Sequence, residues 1–308
     1  MPKLHVFFNN RSGSASLDAE ALLAGLATTG YGVEVDDQQD RPFTDRLDAA
    51  RRSPADILVA AGGDGTATAL AGIAAETGKL LAILPMGTAN LLAKDLSLPL
   101  DPIAWMDALP GFVERRIDLG RVNDRVFLHK VVIGFVPAIA AGREHIRGHE
   151  AFAANIAFLG YAARRILRSR RIALEVTRDD ELPHIDRVQA VAISNNSYDE
   201  AFGHVFSRSK LDAGHLGIYK LHSVTLFKAI SLVAGVVIGR WQDDAALTIE
   251  SAEHVVIRSR HKQIKAMLDG EVETLQNPLH FRIEKQALRV LAPPVVELAA
   301  PDAAGVAA

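Results

Sequence analysis

Phosphate chemistry asks for backbone N–H groups aimed at anionic oxygens and for a chain that can come close to them. One stretch of this sequence supplies both. The apolar run Asp56 to Ala61 leads straight into Gly62-Gly63-Asp64-Gly65-Thr66, after which an Ala-rich helical pattern begins. The glycines permit close backbone approach, and a helix opening behind them adds a favourable dipole. Asp64 cannot bind phosphate itself, because like charges repel. A carboxylate beside such a site suits Mg2+, which bridges phosphate oxygens and neutralises developing charge. Gly-Gly alone is often no more than a tight strand-to-helix turn, but two further polar loops accompany it. Gly87-Thr88-Ala89-Asn90 follows the next apolar strand pattern, and Asn9-Asn10-Arg11-Ser12-Gly13 follows the first one. Three such loops on one edge predict a nucleotide site.

Other constellations carry less. Gly72 to Leu80 has five residues between its glycines and Leu80 after Lys79, so it is not a Walker loop. Thr68 stands where a dinucleotide fingerprint needs a small third residue. His145 and His149 have a helical metal spacing, but Gly148 lies between them with no third ligand, so they read as exposed histidines. Ser207-Arg208-Ser209-Lys210 fits a Ser-x-x-Lys pattern without its companion motifs and is discounted. With no cysteine, a thiolate nucleophile, a disulfide framework and a Cys-ligated zinc site are excluded, which fits a reducing cytoplasm.

The elements that must position the loops are legible as alternating patterns. Strands are predicted at Leu4–Phe8, Val33–Val35, Asp56–Ala61 and Leu80–Leu84, with helices at Ser16–Thr28, after Thr66, and at Ala89–Asp95. That order argues a parallel sheet with crossover helices, whose ligands bind at the carboxyl ends of the strands. Past Ile117 the rhythm changes. Arg121 to Val126 reads as a hairpin, and strands follow at Ile172–Thr177, Val188–Ile193, Leu216–Leu221, Leu247–Ile249 and Val255–Ile257, an antiparallel second domain. Helical patterns at Ala151–Arg168 and Val224–Gly239 interrupt it.

The 308 residues are 49% hydrophobic and 23% charged, the balance of a soluble two-domain chain. A net charge of −3 leaves no overall basic field for nucleic acid. The longest apolar stretch, Ala229 to Gly239, falls well short of the ~20 residues that span a bilayer. Seven arginines between Arg143 and Arg171 face only Glu144 and Glu150 around a largely apolar segment. Two readings stay open there: a core helix with an arginine-rich C-terminus, or a basic amphipathic helix lying on an anionic membrane.

Taken in order, GGDGT, PMGTANLLAKDL (residues 85–96), IDLGRVN (117–123), SNN (194–196) with KLDAGHLGIYKL (210–221), and LDGEVE (268–273) resemble the diacylglycerol kinase catalytic-domain family. The closer likeness is to its soluble bacterial lipid kinases, from about residue 4 to 293. GGDGT alone is shared with NAD kinases and phosphofructokinase-like proteins. The resemblance implies an α/β nucleotide domain at 1–116, a β-rich, sandwich-like lipid-substrate domain at 117–285, and a chain that returns to the first domain over 286–297. A flexible tail is expected at 298–308, and the active site in the cleft between the domains. It implies transfer of the ATP γ-phosphoryl group to a lipid hydroxyl with Mg2+. Asn9, Ser12, Gly13, Gly62, Gly63, Asp64, Gly65, Thr66, Gly87, Thr88 and Asn90 would hold nucleotide, with Asn10 where the family usually has proline. Asp269-Gly270-Glu271 matches the family's catalytic acidic motif. On an extended strand its two carboxylates would face one site, and either could be the base.

The same resemblance implies a second Mg2+ held by an Asp and neighbouring carbonyls, here at Asp118, Lys210, Asp212 and His215. Ala213 replaces the expected acid, so that ion is expected to be weak or absent unless Asp212 moves in. The expectation is therefore a cytoplasmic lipid kinase touching the membrane surface that holds its substrate. The alternatives are an NAD kinase-like phosphotransferase and a non-catalytic nucleotide- or lipid-binding protein. The lipid's identity and the oligomeric state are not encoded in any motif.

Overall fold

The computed structural model describes residues 1–9, 18–135, 169–199, 207–222 and 247–295. Its first body rests on four parallel strands, β1 (Lys3–Phe8), β2 (Gly32–Asp36), β3 (Ile57–Gly62) and β4 (Leu80–Pro85), in the order β2-β1-β3-β4. β3, ILVAAG, is buried at every position, as a central parallel strand covered on both faces must be. Helices α1 (Ala19–Ala27), α2 (Phe43–Arg52), α3 (Asp64–Thr77), α4 (Leu91–Asp95) and α5 (Pro102–Ala108) supply the cover. Leu58, Val59, Leu70, Leu81 and Trp105 form part of that core. Asp18 caps α1 through the Ala21 N–H (2.7 Å), and Gly78 ends α3 in the left-handed conformation.

The second body is antiparallel. β5 (Val113–Val122), β6 (Arg125–Phe127) and β7 (Lys130–Gly134) are followed by β8 (Ile172–Arg178), β9 (His184–Val188), β10 (Ala190–Asn195) and β11 (Leu216–Leu221). Then come β12 (Leu247–Ala252), β13 (His254–Arg258), β14 (Gln263–Leu268), β15 (Glu271–Gln276) and the long β16 (Leu279–Ala292). One sheet runs β12-β11-β10-β7-β14-β15. The other continues from β4 through β16 to β13, β8 and β9, with β5 paired along β16. Val131, Ile193 and Ile218 of the first pack with Val176, Val255 and Phe281 of the second to make a sandwich core. β16 belongs to both bodies: its Val290 pairs parallel with Leu81, whereas Phe281 pairs antiparallel with Val255. The expected class, a parallel α/β domain plus an antiparallel β-rich domain, is the fold observed.

Several boundaries moved. The strand expected at Val188–Ile193 is split, because Val188 closes β9 and β10 starts at Ala190. The helix expected from Ala89 starts at Leu91, since Asn90 sits at φ 48° and cannot continue it. α2 has no counterpart among the expected elements: of its ten residues only Arg46 and Ala50 are buried, with Leu47 partly buried against the core. The segments Ala151–Arg168 and Val224–Gly239, His145, His149, Ser12, Gly13 and the tail lie outside the described residues. Among the described residues no helix is long and apolar enough to cross a membrane.

Candidate active site

Asn9 and the loops after β3 and β4 leave the carboxyl ends of their strands on one edge of the sheet, and the contacts between them are direct. Asn9 donates its side-chain amide to the Thr66 hydroxyl (3.0 Å), and its own N–H bonds to the Ala61 carbonyl. The Met86 N–H bonds to the Gly62 carbonyl at 3.0 Å. A Cβ on Gly87 would lie 2.6 Å from the Gly63 Cα, so the two loops approach backbone to backbone, which only glycine permits. Asn90 closes its own loop, accepting from the Gly87 N–H and donating to the Gly87 carbonyl. Thr88 is exposed at its tip. Gly63 is the N-cap of α3 and brings no side chain to that helix's first N–H groups, which makes its N-terminus a seat for phosphate oxygens.

Asp64 reaches across to α4, where one carboxylate oxygen accepts the Leu91 N–H at 2.7 Å. Burial pushes its carboxyl up, opposed by the N–H groups of Leu91 and Asn90. It therefore joins the two phosphate loops, which motif reading did not foresee.

The acidic motif is not on an extended strand. Asp269 (φ 46°) and Gly270 (φ 102°) form the two-residue turn between β14 and β15, with Leu268 paired to Glu271. The alternation expected for residues 269 and 271 does not apply, and the two acids have different surroundings. Asp269 is half-buried, with one oxygen accepting the N–H groups of His129 and Lys130 (both 2.9 Å). Its other oxygen accepts the Leu128 N–H (2.6 Å) and the Thr68 hydroxyl of α3 (3.1 Å). All four lone-pair directions are filled. Burial pushes its carboxyl up while these donors hold it back. Glu271 is exposed, and its Oε1 would be 2.8 Å from a Cβ on Gly65, so it lies against the GGDGT loop.

Around Asp269 is a polar cluster that the motifs did not mark. Arg208, 1% exposed, donates to Asp95, the Leu128 and Asn195 carbonyls and His129. Burial, then the neighbouring Arg208, hold His129 well below its ordinary pKa, so it is a neutral acceptor. Lys130 is lowered to about 8 by burial. The signal for Arg208 lay in the Ser207–Lys210 stretch, which was read for the wrong chemistry.

The residues implied for a second Mg2+ do not fit one. Asp118 accepts the Gly214 N–H (2.7 Å) and the Gln286 N–H (2.8 Å), one on each oxygen. Its own N–H donates to the Leu211 carbonyl at 2.7 Å. The His215 carbonyl accepts the Asn196 N–H, and Asp212 is exposed. Each Asp118 oxygen already accepts an N–H and Ala213 brings no second acid, so the 211–215 loop is held by hydrogen bonds. Lys210 is exposed. The first Mg2+ site fares better: Asp64 and Glu271 offer hard oxygen donors beside the phosphate loop, and Mg2+ commonly takes one or two carboxylates plus substrate phosphates.

This two-body fold is shared with solved structures. A putative diacylglycerol kinase from Bacillus anthracis str. Sterne superposes with a TM-score of 0.72 over 95% of this chain and 97% of that one, at 19% identity. The family model for the diacylglycerol kinase catalytic domain matches residues 3–122. The match takes in the first body together with β5. A probable lipid kinase YegS-like from Pseudomonas aeruginosa is 45% identical over 86 residues, 27% of this chain and 28% of its own. A diacylglycerol kinase from Staphylococcus haemolyticus is 33% identical over 108 residues, 34% and 32% of the two chains. These matches span about a third of the length of the curated relatives.

Proposed function

We propose that this protein is a lipid kinase that transfers the γ-phosphoryl group of ATP to the hydroxyl of a lipid presented at a membrane surface. The observation that carries the reading is the seating of the Asp269–Glu271 hairpin on the GGDGT helix, through Glu271 at Gly65 and Asp269 at Thr68. This puts a carboxylate beside a phosphate cradle. In the reaction the lipid oxygen attacks the γ-phosphorus, the bond to the β–γ bridging oxygen breaks, and ADP leaves. The hydroxyl proton passes to a carboxylate. Glu271 is the acid with lone pairs to receive it, whereas Asp269 holds the turn that presents Glu271. Gly62, Gly63, Gly65, Gly87 and the first turn of α3 orient the phosphates, so that catalysis is chiefly positioning and charge stabilisation. Mg2+, held by Asp64 and Glu271, would neutralise phosphate charge when bound.

The test is transfer of labelled γ-phosphate from ATP into a panel of diacylglycerol, phosphatidylglycerol, sphingoid and ceramide acceptors in mixed micelles, with NAD as a control acceptor. A labelled lipid, lost in Glu271→Gln, supports the reading. Labelled NAD with unlabelled lipids would replace it by an NAD kinase-like activity. ATP binding with no acceptor labelled would replace it by a binding function.

A further inference from the structure

Five N–H groups of one buried guanidinium meet four acceptor atoms drawn from three segments of the chain. Arg208 Nε (3.0 Å) and Nη2 (2.7 Å) both donate to Asp95 Oδ2, at the end of α4. Nη1 donates to the Leu128 carbonyl (2.7 Å) and to the Asn195 carbonyl (2.6 Å). The remaining Nη2 hydrogen faces His129 Nε2 at 3.2 Å. The carboxylate is as buried as its partner, with 3% of the Asp95 side chain exposed. Lysine could not replace this planar fork, since its ammonium has three donors and no fixed geometry.

These contacts close a ring. Asp64, in the first turn of α3, holds the first N–H of α4; Asp95 ends α4 and holds Arg208. Arg208 holds the Leu128 carbonyl, while the N–H groups of residues 128–130 turn the other way and hold Asp269. Asp269 then returns to Thr68 on α3. Each phosphate loop runs directly into one of these two helices, and the acidic hairpin is the third member of the ring.

We propose that Arg208 is a positioning residue, which sets the placement of the acidic hairpin relative to the two phosphate loops by clamping residues 128–129 to α4. The proposal rests on the lipid kinase reading for its kinetic consequence, but the clamp itself does not depend on the acceptor. Misplacing reacting groups by about 1 Å costs on the order of 10²-fold in rate, so loosening the ring acts on turnover more than on nucleotide binding.

Two variants separate positioning from simple core filling. Arg208→Lys keeps the charge and loses the fork. The double variant Asp95→Leu/Arg208→Met replaces the buried pair by apolar groups, an exchange that is often neutral for stability, but it cannot hold the carbonyls of Leu128 and Asn195. For Arg208→Lys, kcat is expected to fall about 10²-fold with the KM for ATP changed by less than about 3-fold. The double variant is expected to melt near wild type yet keep the low kcat, with amide hydrogens of residues 128–130 exchanging about tenfold faster. A double variant with wild-type turnover and wild-type exchange at 128–130 would overturn the proposal, as would full activity in Arg208→Lys. If the wild-type protein labels no lipid, the kinase reading fails by itself. Exchange at 128–130 in the folded double variant then decides the clamp: faster exchange upholds it, unchanged exchange overturns it.

Discussion

Replacing Asp269 by asparagine should cost folding stability, and replacing Glu271 by glutamine should not. An asparagine at 269 keeps one acceptor oxygen for four donors. If that oxygen stays on the His129 and Lys130 N–H groups, the amide NH2 faces the Leu128 N–H, donor against donor, while the Thr68 hydroxyl can rotate to accept. One buried N–H left without an acceptor costs about 1–3 kcal/mol. The two surviving bonds lose their charge assistance, about 0.5–1 kcal/mol each. Relief from burying a charge offsets part of this, which leaves a net loss of about 2–4 kcal/mol. At roughly 2 °C per kcal/mol for a chain of this size, Tm falls by about 4–8 °C. Glu271 is exposed and accepts no backbone donor that the structure shows, so Glu271→Gln stays within about 0.5 kcal/mol, or 1 °C. Its kcat falls about 10²–10⁴-fold, the usual contribution of a general base. Scanning calorimetry beside the phosphoryl-transfer assay reads both quantities. If Asp269→Asn melts with wild type and loses activity, while Glu271→Gln keeps it, the division of labour is the reverse of the one argued here.

Three further outcomes are accessible. Because burial lowers Lys130 from 10.5 to about 8, the folded protein gives up that proton before the unfolded chain does. Stability should therefore rise with pH from about 8 to about 10.5, and below that window the burial costs up to about 3 kcal/mol. Lys130→Met should raise the urea midpoint at pH 7 and flatten the alkaline rise; a lower midpoint would show that its contacts outweigh its burial. Gly87→Ala forces a methyl to 2.6 Å from the Gly63 Cα, so ATP affinity measured by titration calorimetry should drop at least about tenfold; wild-type affinity would mean that the loops yield. Without nucleotide, Tm in excess Mg2+ and in EDTA should agree within about 1 °C, because hydrogen bonds rather than an ion hold the 211–215 loop; a Mg2+-induced rise of several degrees would refute that assignment.

What the sequence disclosed followed from periodicity and glycine. The all-buried β3, the loops after β3 and β4, and the alternation in β8 could be read because burial on one or two faces writes itself into residue type. α2 could not, since its most buried long side chain is Arg46, which is held by Asp36 and the Phe8 carbonyl, with only Ala50 fully buried beside it. The acidic motif was found, but its geometry was misjudged. Asp-Gly is the preferred pair for a two-residue hairpin turn, and β14 and β15 on either side were not recognised as strands. The clamp among Arg208, Asp95 and residues 128–130 was invisible for a different reason. Their roles depend on pairings between segments up to 141 residues apart, and a buried arginine looks in sequence like any surface arginine.

β16 and its partner β5 make a continuous two-stranded beam that passes through both bodies, interrupted between Glu284 and Leu288. Two bodies joined by a flexible linker can swing apart, but two bodies built on one beam can only twist about it. The interruption is the compliant point, and Asp118 grips it through the Gln286 N–H while gripping the 211–215 loop through Gly214. Asp118 thereby ties β5, the interruption in β16 and the 211–215 loop at one point, so that a substitution there would loosen the joint without touching either phosphate loop.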